Sequence, residues 1–346
     1  MKREWALRIG LTVGAIVLTF GALEVGLRLS QGGWISSWPN FVLESRKVQT
    51  TRNQSRYVED PTLGYVPRPN YSVGGVSFDA DGLRRTGEAP DRGAILAVGD
   101  SFTSGDEVND DQTWPAHLQR LLGQRVLNAG VSGYGFDQIV LRAEKIAAEK
   151  RPSAVVVSFI ADDVLRTEAR RRWSAEKPYF DIQNGALVLR NVPIQRPDPQ
   201  TGLGFLDRTL GYSFLVYFIM LDVWDGWHGD HVRVHPPGMG EEISCLLTRR
   251  LADLQRRSSA RVLVVAQYDP YVWRDARFAA EQRRLTKGVL DCSRQQGLDV
   301  LDSFDALAAN GGKGAPASLY GEWHMNEAGN RLTAGLIAGA LGNGGN

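Results

Sequence analysis

The loop GDSFTSG, Gly99 to Gly105, follows directly on the short apolar run AILAV. A serine on a tight turn at the end of a buried strand exposes its hydroxyl beside backbone N–H groups, and a nucleophile attacking a carbonyl needs both. Ser101 is therefore a candidate nucleophile, with an ordinary Gly-Asp-Ser turn as the plainer reading. A second loop, NAGVSGYG, offers Gly130, Gly133 and Gly135 for close backbone approach to a substrate, and a glycine N–H there could donate to an oxyanion. A third, ADDV, sets Asp162 beside Asp163. Such a pair suits acid–base work, a cation site, or capping of the next helix. Near the C-terminus, LYGEWHMNEAGNRL puts His324 just before a helical pattern and beside Glu322. A neutral imidazole oriented by a carboxylate is the base that Ser101 lacks.

These loops need elements to hold them, and the hydrophobic pattern supplies candidates. Apolar runs at AILAV, RVLNAG, AVVVSF (Ala154 to Phe159), RVLVVAQYD and LDVLDSF read as strands. Helical spacing covers Thr113 to Leu122, Phe136 to Lys150, about Glu241 to Arg257, about Ala276 to Gln296 and about Asn326 to Leu341. Continuous apolar strands alternating with helices predict a parallel sheet covered on both faces. Ligands bind such sheets where the strands end. The alternation pauses at about 167–240, where Asn184-Gly185 predicts a hairpin turn. In the same stretch SFLVYFIML, Ser213 to Leu221, reads either as a core helix or as a surface helix resting on a membrane, with Trp224 and Trp227 at the interface. Arg170 to Arg172 is expected on a solvated face, or near an anionic ligand at the active edge. Residues 30–90, rich in Trp, Pro, Gly, Arg and Tyr, predict an extended, turn-rich lead-in.

Composition narrows the classes. The chain has 346 residues, 43% hydrophobic and 23% charged, with 40 Lys and Arg against 39 Asp and Glu. A net charge of +1 gives no basic excess with which to displace counterions from a phosphate backbone, so a nucleic-acid partner is not expected. Cys245 and Cys292 can form one bridge at most, and free buried thiols are the alternative. His228, Asp230, His231 and His235 have metal-compatible spacing but no helical frame, so no metal site and no cofactor are expected.

Taken in order, the four loops resemble the SGNH hydrolases, the GDSL-type esterases and lipases. Gly99, Asp100 and Ser101 match the first block, Gly133 the second, and His324 with MNEAGN the fourth. The resemblance covers roughly residues 94–341 and implies a three-layer α/β/α, flavodoxin-like fold with a central parallel sheet. It further implies Ser101 as nucleophile, His324 as base, and the N–H groups of Ser101 and Gly133 as oxyanion donors. Two positions depart from the pattern. Asp162 stands where the family has an oxyanion-donating Asn, and an ionised carboxylate there would repel the developing charge. It could help only if protonated, through burial next to Asp163. The family's acid, three residues before the histidine, is replaced by Gly321, which leaves Glu322 as the nearest acid and Asp302 as the fallback.

Residues Ile9 to Leu23 carry no charge, and apolar character continues to Leu29, long enough to cross a bilayer at about 20 residues. Lys2, Arg3 and Arg8 precede this segment, which predicts an N-terminus in the cytoplasm and export of the chain beyond residue 30. A cleaved signal peptide shares the basic start, with Ser30 to Gly32 as a weak cleavage site. The expected organisation is a membrane anchor at 1–30, a lead-in at 31–90 and a hydrolase-like domain at 91–346. The expected protein is a single-pass protein of the bacterial inner membrane with its catalytic domain on the periplasmic side. Its expected reaction is esterase removal of O-acetyl or other short acyl groups from envelope or exported polysaccharide. An O-acetyltransferase using the same acyl-serine, and a catalytically decayed glycan-binding or scaffold protein, are the competing readings.

Overall fold

Five of the apolar runs pair into one parallel sheet: β1 (Ile95–Val98), β2 (Val126–Asn128), β3 (Ala154–Phe159), β4 (Arg261–Ala266) and β5 (Asp299–Asp302). The computed structural model describes residues 2–30, 39–42, 56–90, 93–172, 175–194, 204–222, 232–310 and 316–342. The strand order is β5-β4-β3-β1-β2, so chain direction across the sheet reverses between β1 and β3. That reversal opens a crevice at the strand ends. Every residue of β1 and β3 is buried, as expected of strands covered on both faces.

Alternation along the strands sorts the core into two layers. Leu96, Val98, Val155, Val157, Val262 and Val264 pack with α4 (Phe136–Lys150), α8 (Met239–Ser258) and α9 (Ala276–Gln295). Ile95, Ala97, Val156, Leu263 and Val265 pack on the other face with α3 (Trp114–Leu122) and α11 (Glu327–Gly342). The result is the expected three-layer α/β/α arrangement. Between these lie α2 (Ser101–Ser104), α5 (Ala161–Arg166) and α10 (Phe304–Asn310). Cys245 and Cys292 form a disulfide joining α8 to α9.

The lead-in holds more structure than its composition predicts. Tyr57–Asp60 pairs with Gly64–Pro67, and Ser72–Val73 with Val76–Ser77, both antiparallel. Asn184 and Gly185, both at positive φ, turn the ribbon Tyr179–Gln183/Ala186–Arg190 as expected. Arg170 to Arg172 lies on a strand paired to Ala175–Glu176 and to Val232–Arg233, and Arg171 is buried against Glu176 at 2.6 Å, so a solvated face does not describe it.

The chain divides into two compact units, Met1–Asn53 with Arg196–His231, and Gln54–Gln195 with Val232–Asn346. The first contains α1 (Lys2–Ser30), α6 (Phe205–Leu210) and α7 (Phe214–Asp222). Within α1, Leu7–Ser30 is long and apolar enough to cross a membrane, and its apolar spanning window has no buried residue. Trp224, Trp227, His228, Asp230, His231 and the weak cleavage site beyond Ser30 lie outside the described residues.

Candidate active site

Ser101 opens the single-turn α2 at the end of β1. Asp100 caps this turn, its carboxylate accepting from Phe102 N–H at 2.9 Å, which fixes the turn that presents Ser101. Ser101 Oγ lies 2.9 Å from His324 Nε2 and 3.4 Å from Asp100 Oδ2. His324 sits just ahead of α11 with its ring packed on Phe102, centroids 5.1 Å apart. The structure thus brings together two residues 223 positions apart.

The carboxylate at the other ring nitrogen is Glu107, whose Oε1 lies 3.0 Å from His324 Nδ1. A carboxylate can only accept, so Nδ1 carries the hydrogen and Nε2 presents its lone pair to Ser101. Glu107 also accepts from the backbone N–H of Glu322 at 3.0 Å and of Trp323 at 3.1 Å, so the histidine loop folds around it. This corrects the expected acid. Glu322 supplies a backbone N–H to the carboxylate that takes its role, and Asp302 is committed to Tyr268 Oη and the Phe304 N–H. The absent acid at Gly321 follows from the same geometry. A Cβ there would lie 2.5 Å from Glu107 Oε2, so glycine at 321 makes room for an acid arriving from the serine loop.

Glu107 itself is held in the left-handed region, at φ +70°, sparsely populated for a residue with a Cβ. Arg84 over-determines this conformation. Its buried guanidinium donates to Ser104 O at 2.6 Å, Gly105 O, Val108 O at 2.7 Å and Asp110 Oδ1 at 2.8 Å, stapling the loop on both sides of Glu107.

Gly133 adopts φ +78°, a conformation glycine takes without strain. Among the described residues, neither its N–H nor that of Ser101 is engaged in a hydrogen bond. The loop is fixed from behind: Tyr65 Oη donates to Ser132 O at 2.8 Å, and Ser132 Oγ donates to Asp106 Oδ2 at 2.7 Å. Arg56 pairs with Asp106 at 2.9 Å, so the lead-in hairpin region supports the site.

Asp162 and Asp163 part company. Asp163 is buried, accepting from Ile160 N–H at 3.0 Å and pairing with Arg166; burial and the nearby Asp100 push its carboxyl well above the usual range. Asp162 stays on the solvent side with 43% of its side chain exposed, 3.8 Å from Arg166 Nη2. The expected burial of Asp162 beside Asp163 is therefore not what the structure has. The group whose proton affinity rises on the rim is Asp269, pushed to about 6 by burial, with the Asp162 charge adding to the effect. Asp269 Oδ1 accepts from Tyr271 N–H at 2.7 Å. Tyr271 is partly exposed and meets the exposed Trp323, centroids 5.5 Å apart, one residue from His324.

Glu107, Arg84, Asp269 and the Tyr271–Trp323 pair are absent from the sequence-derived site. For Glu107 a signal existed: an acid six residues after the nucleophile in a chain with glycine at the usual acid position. His235 Nε2 lies 2.9 Å from Phe180 O, and among the described residues no group of three side chains could hold a metal ion.

The model of the GDSL-like lipase/acylhydrolase family matches residues 97–332. Comparison with curated proteins returns no match. Among solved structures, the chain is similar to a variant of Axe2, an acetyl xylan esterase from Geobacillus stearothermophilus, at 14% identity over 73% of this chain and 96% of that one, with a TM-score of 0.45. It is similar to the psychrotrophic esterase EstA from Pseudoalteromonas sp. at 12% identity over 72% and 97%, with a TM-score of 0.42. A third likeness is to the acetyl xylan esterase AlAXEase, at 13% identity over 72% and 99%, with a TM-score of 0.45.

Proposed function

The chain belongs to the GDSL-like lipase/acylhydrolase family, and from that premise we propose that it cleaves acyl esters through a Ser101 acyl-enzyme. The observation that carries this reading is the continuous chain from Ser101 Oγ through His324 to Glu107, at 2.9 and 3.0 Å. Ser101 Oγ attacks the ester carbonyl as His324 Nε2 takes its proton. The N–H groups of Ser101 and Gly133 receive the oxyanion. When the C–O bond to the alcohol breaks, His324 returns the proton to the leaving oxygen. Water then repeats the sequence, its proton passing to His324 and back to Ser101 Oγ, and the acid is released. Glu107 keeps Nδ1–H oriented and stabilises the imidazolium without taking its proton.

The substrate we assign is an O-acetyl or other short acyl ester on polysaccharide. The exposed Tyr271–Trp323 pair beside His324 supports it, since an aromatic face offers a sugar ring an apolar surface at low entropic cost. The proposed location is the outer side of the bacterial inner membrane, with α1 as the anchor. A disulfide between α8 and α9 suits an exported, oxidising setting. The decayed-enzyme reading loses one of its two marks, because Gly321 is accounted for by Glu107.

The test is labelling of the full chain by a serine-directed fluorophosphonate, with Ser101→Ala, His324→Ala and Glu107→Gln in parallel. We expect strong labelling of the wild type, none of Ser101→Ala and little of the other two. A folded wild type that does not label would move the reading to glycan binding. An acyl-enzyme that turns over faster with added polysaccharide than in water would move it to transfer.

A further inference from the structure

The apolar stretch after residue 204 is not absorbed by the esterase reading. In α6, α7 and the turn between them, Phe205 is 80% exposed and Leu206 55%, and Leu210, Tyr212, Phe218 and Ile219 are each more than 40% exposed. Clustered apolar exposure of this kind marks a surface that something covers.

Its attachment says what covers it. Glu24 of α1 accepts from Phe214 N–H and Leu215 N–H, each at 2.8 Å, and from Ser213 Oγ at 2.9 Å. Its charge is met by Arg28 at 2.6 Å, and Arg28 donates to Tyr212 O at 2.8 Å. Phe41 closes the joint, with its ring 5.0 Å from that of Phe214 and its N–H on Gly211 O at 2.8 Å. The first turn of α7 is therefore capped by a side chain of α1. Counting about 20 residues for the hydrocarbon core from Leu7 places its outer boundary near Gly26, two residues beyond Glu24. A carboxylate at that depth needs its charge and lone pairs satisfied by protein, and Arg28, Ser213 and the two N–H groups do so. The start of α7 is thus fixed at the edge of the hydrocarbon. At nine residues α7 is too short to span, yet its sequence, FLVYFIMLD, is apolar until its last residue.

We propose that Phe205–Ile219 is a second bilayer contact, lying in the leaflet where α1 ends and continuous with the apolar surface of α1. This rests on α1 being a membrane helix. The phospholipid interface is the occupant because, among the described residues, the helix that anchors the patch through Glu24 and Arg28 is of membrane length, with no buried residues in its spanning window.

The experiment uses the full chain in phosphatidylcholine/phosphatidylglycerol vesicles, with the native disulfide intact and one added cysteine carrying an environment-sensitive dye. Leu206→Cys and Phe218→Cys are the test positions, Leu18→Cys the reference in α1, and Val73→Cys the exposed control in the second unit. Doxyl-labelled lipids should quench the dyes at 206 and 218 by at least half the extent seen at 18, and leave position 73 unquenched. Quenching at 18 with 206 and 218 behaving like 73 overturns the proposal while leaving the anchor standing. No quenching at 18 overturns the anchor itself, and the proposal with it. Two test positions guard against one label disturbing the joint.

Discussion

The acid of the Ser101–His324 pair comes from the serine loop, and this shift can be tested by reversing it. Glu107→Gln should lower kcat by roughly 10² to 10⁴, because the imidazole loses both its tautomer lock and its charge partner. Glu322→Gln should change kcat little, since only the Glu322 backbone N–H engages the site. Gly321→Asp alone should inactivate, because its Cβ would meet Glu107 Oε2 at 2.5 Å. Gly321→Asp combined with Glu107→Ala should recover at least about tenfold over Glu107→Ala, as a relocated carboxylate regains the imidazole. Steady-state kinetics on a chromogenic acetate ester would check this, and full activity of Glu107→Gln would sink the assignment. The rim carboxylates give a second test. Burial pushes the Asp269 carboxyl up to about 6, so its charge appears within the working pH range. Asp269→Asn should therefore remove whatever change in kcat/KM accompanies that ionisation, and a pH profile identical to the wild type's would show that this charge does not reach the reaction. Asp162→Asn should raise the rate, about tenfold at most because Arg166 already offsets part of that charge. A lower rate would mark Asp162 as an adaptation. Ser101 and His324 were legible because each follows a strand or precedes a helix that the hydrophobic pattern reveals. Glu107 was not, because its role depends on a φ of +70° and on contact across 217 residues, neither of which has a periodic signature.

At the scale of elements, the five strands and their helices were readable because burial on both faces writes itself as unbroken apolar runs. The lead-in was read only as irregular, since hairpins of two to four residues leave no period to detect. Yet those residues hold the site: Arg84 clamps the Glu107 loop, and Arg56 and Tyr65 hold the Gly133 loop through Asp106 and Ser132. Nothing in the sequence around Arg84 announces four acceptors waiting some 20 to 26 residues downstream. Arg84→Met would fill similar space while taking the guanidinium from three carbonyls and leaving Asp110 without its cation. We expect a loss of about 3 to 5 kcal/mol in stability and, in the protein that remains folded, a fall in kcat with KM nearly constant. Arg84→Lys should keep part of both. Denaturant titration with kinetics well below the melting point separates the two effects, and a variant that loses stability but keeps wild-type kcat would make Arg84 a purely structural residue.

Taken whole, the chain joins a unit built on α1 to a catalytic unit closed by a disulfide. Between Cys245 and Cys292 run the rest of α8, all of β4, the Asp269–Tyr271 turn and most of α9, so the bridge ties off a helix–strand–helix segment that carries part of the active-site rim. With its ends separated by 47 positions in sequence, the bridge removes loop-closure freedom from the unfolded chain worth about 4 kcal/mol in the chain-entropy account. Measured effects of comparable bridges run lower, so reduction should lower the melting temperature by roughly 5 to 12 °C for a unit of this size. Neither cysteine touches Ser101, His324 or Glu107, so esterase rates at 20 °C should survive reduction and diverge from the oxidised protein only as the temperature rises. Scanning calorimetry of the full chain with and without reductant, beside Cys292→Ser and a thiol count on the unreduced protein, makes the comparison. An unchanged melting temperature despite complete reduction would remove the bridge from the account of stability. Free thiols in the purified full chain would remove it from the argument for an oxidising compartment.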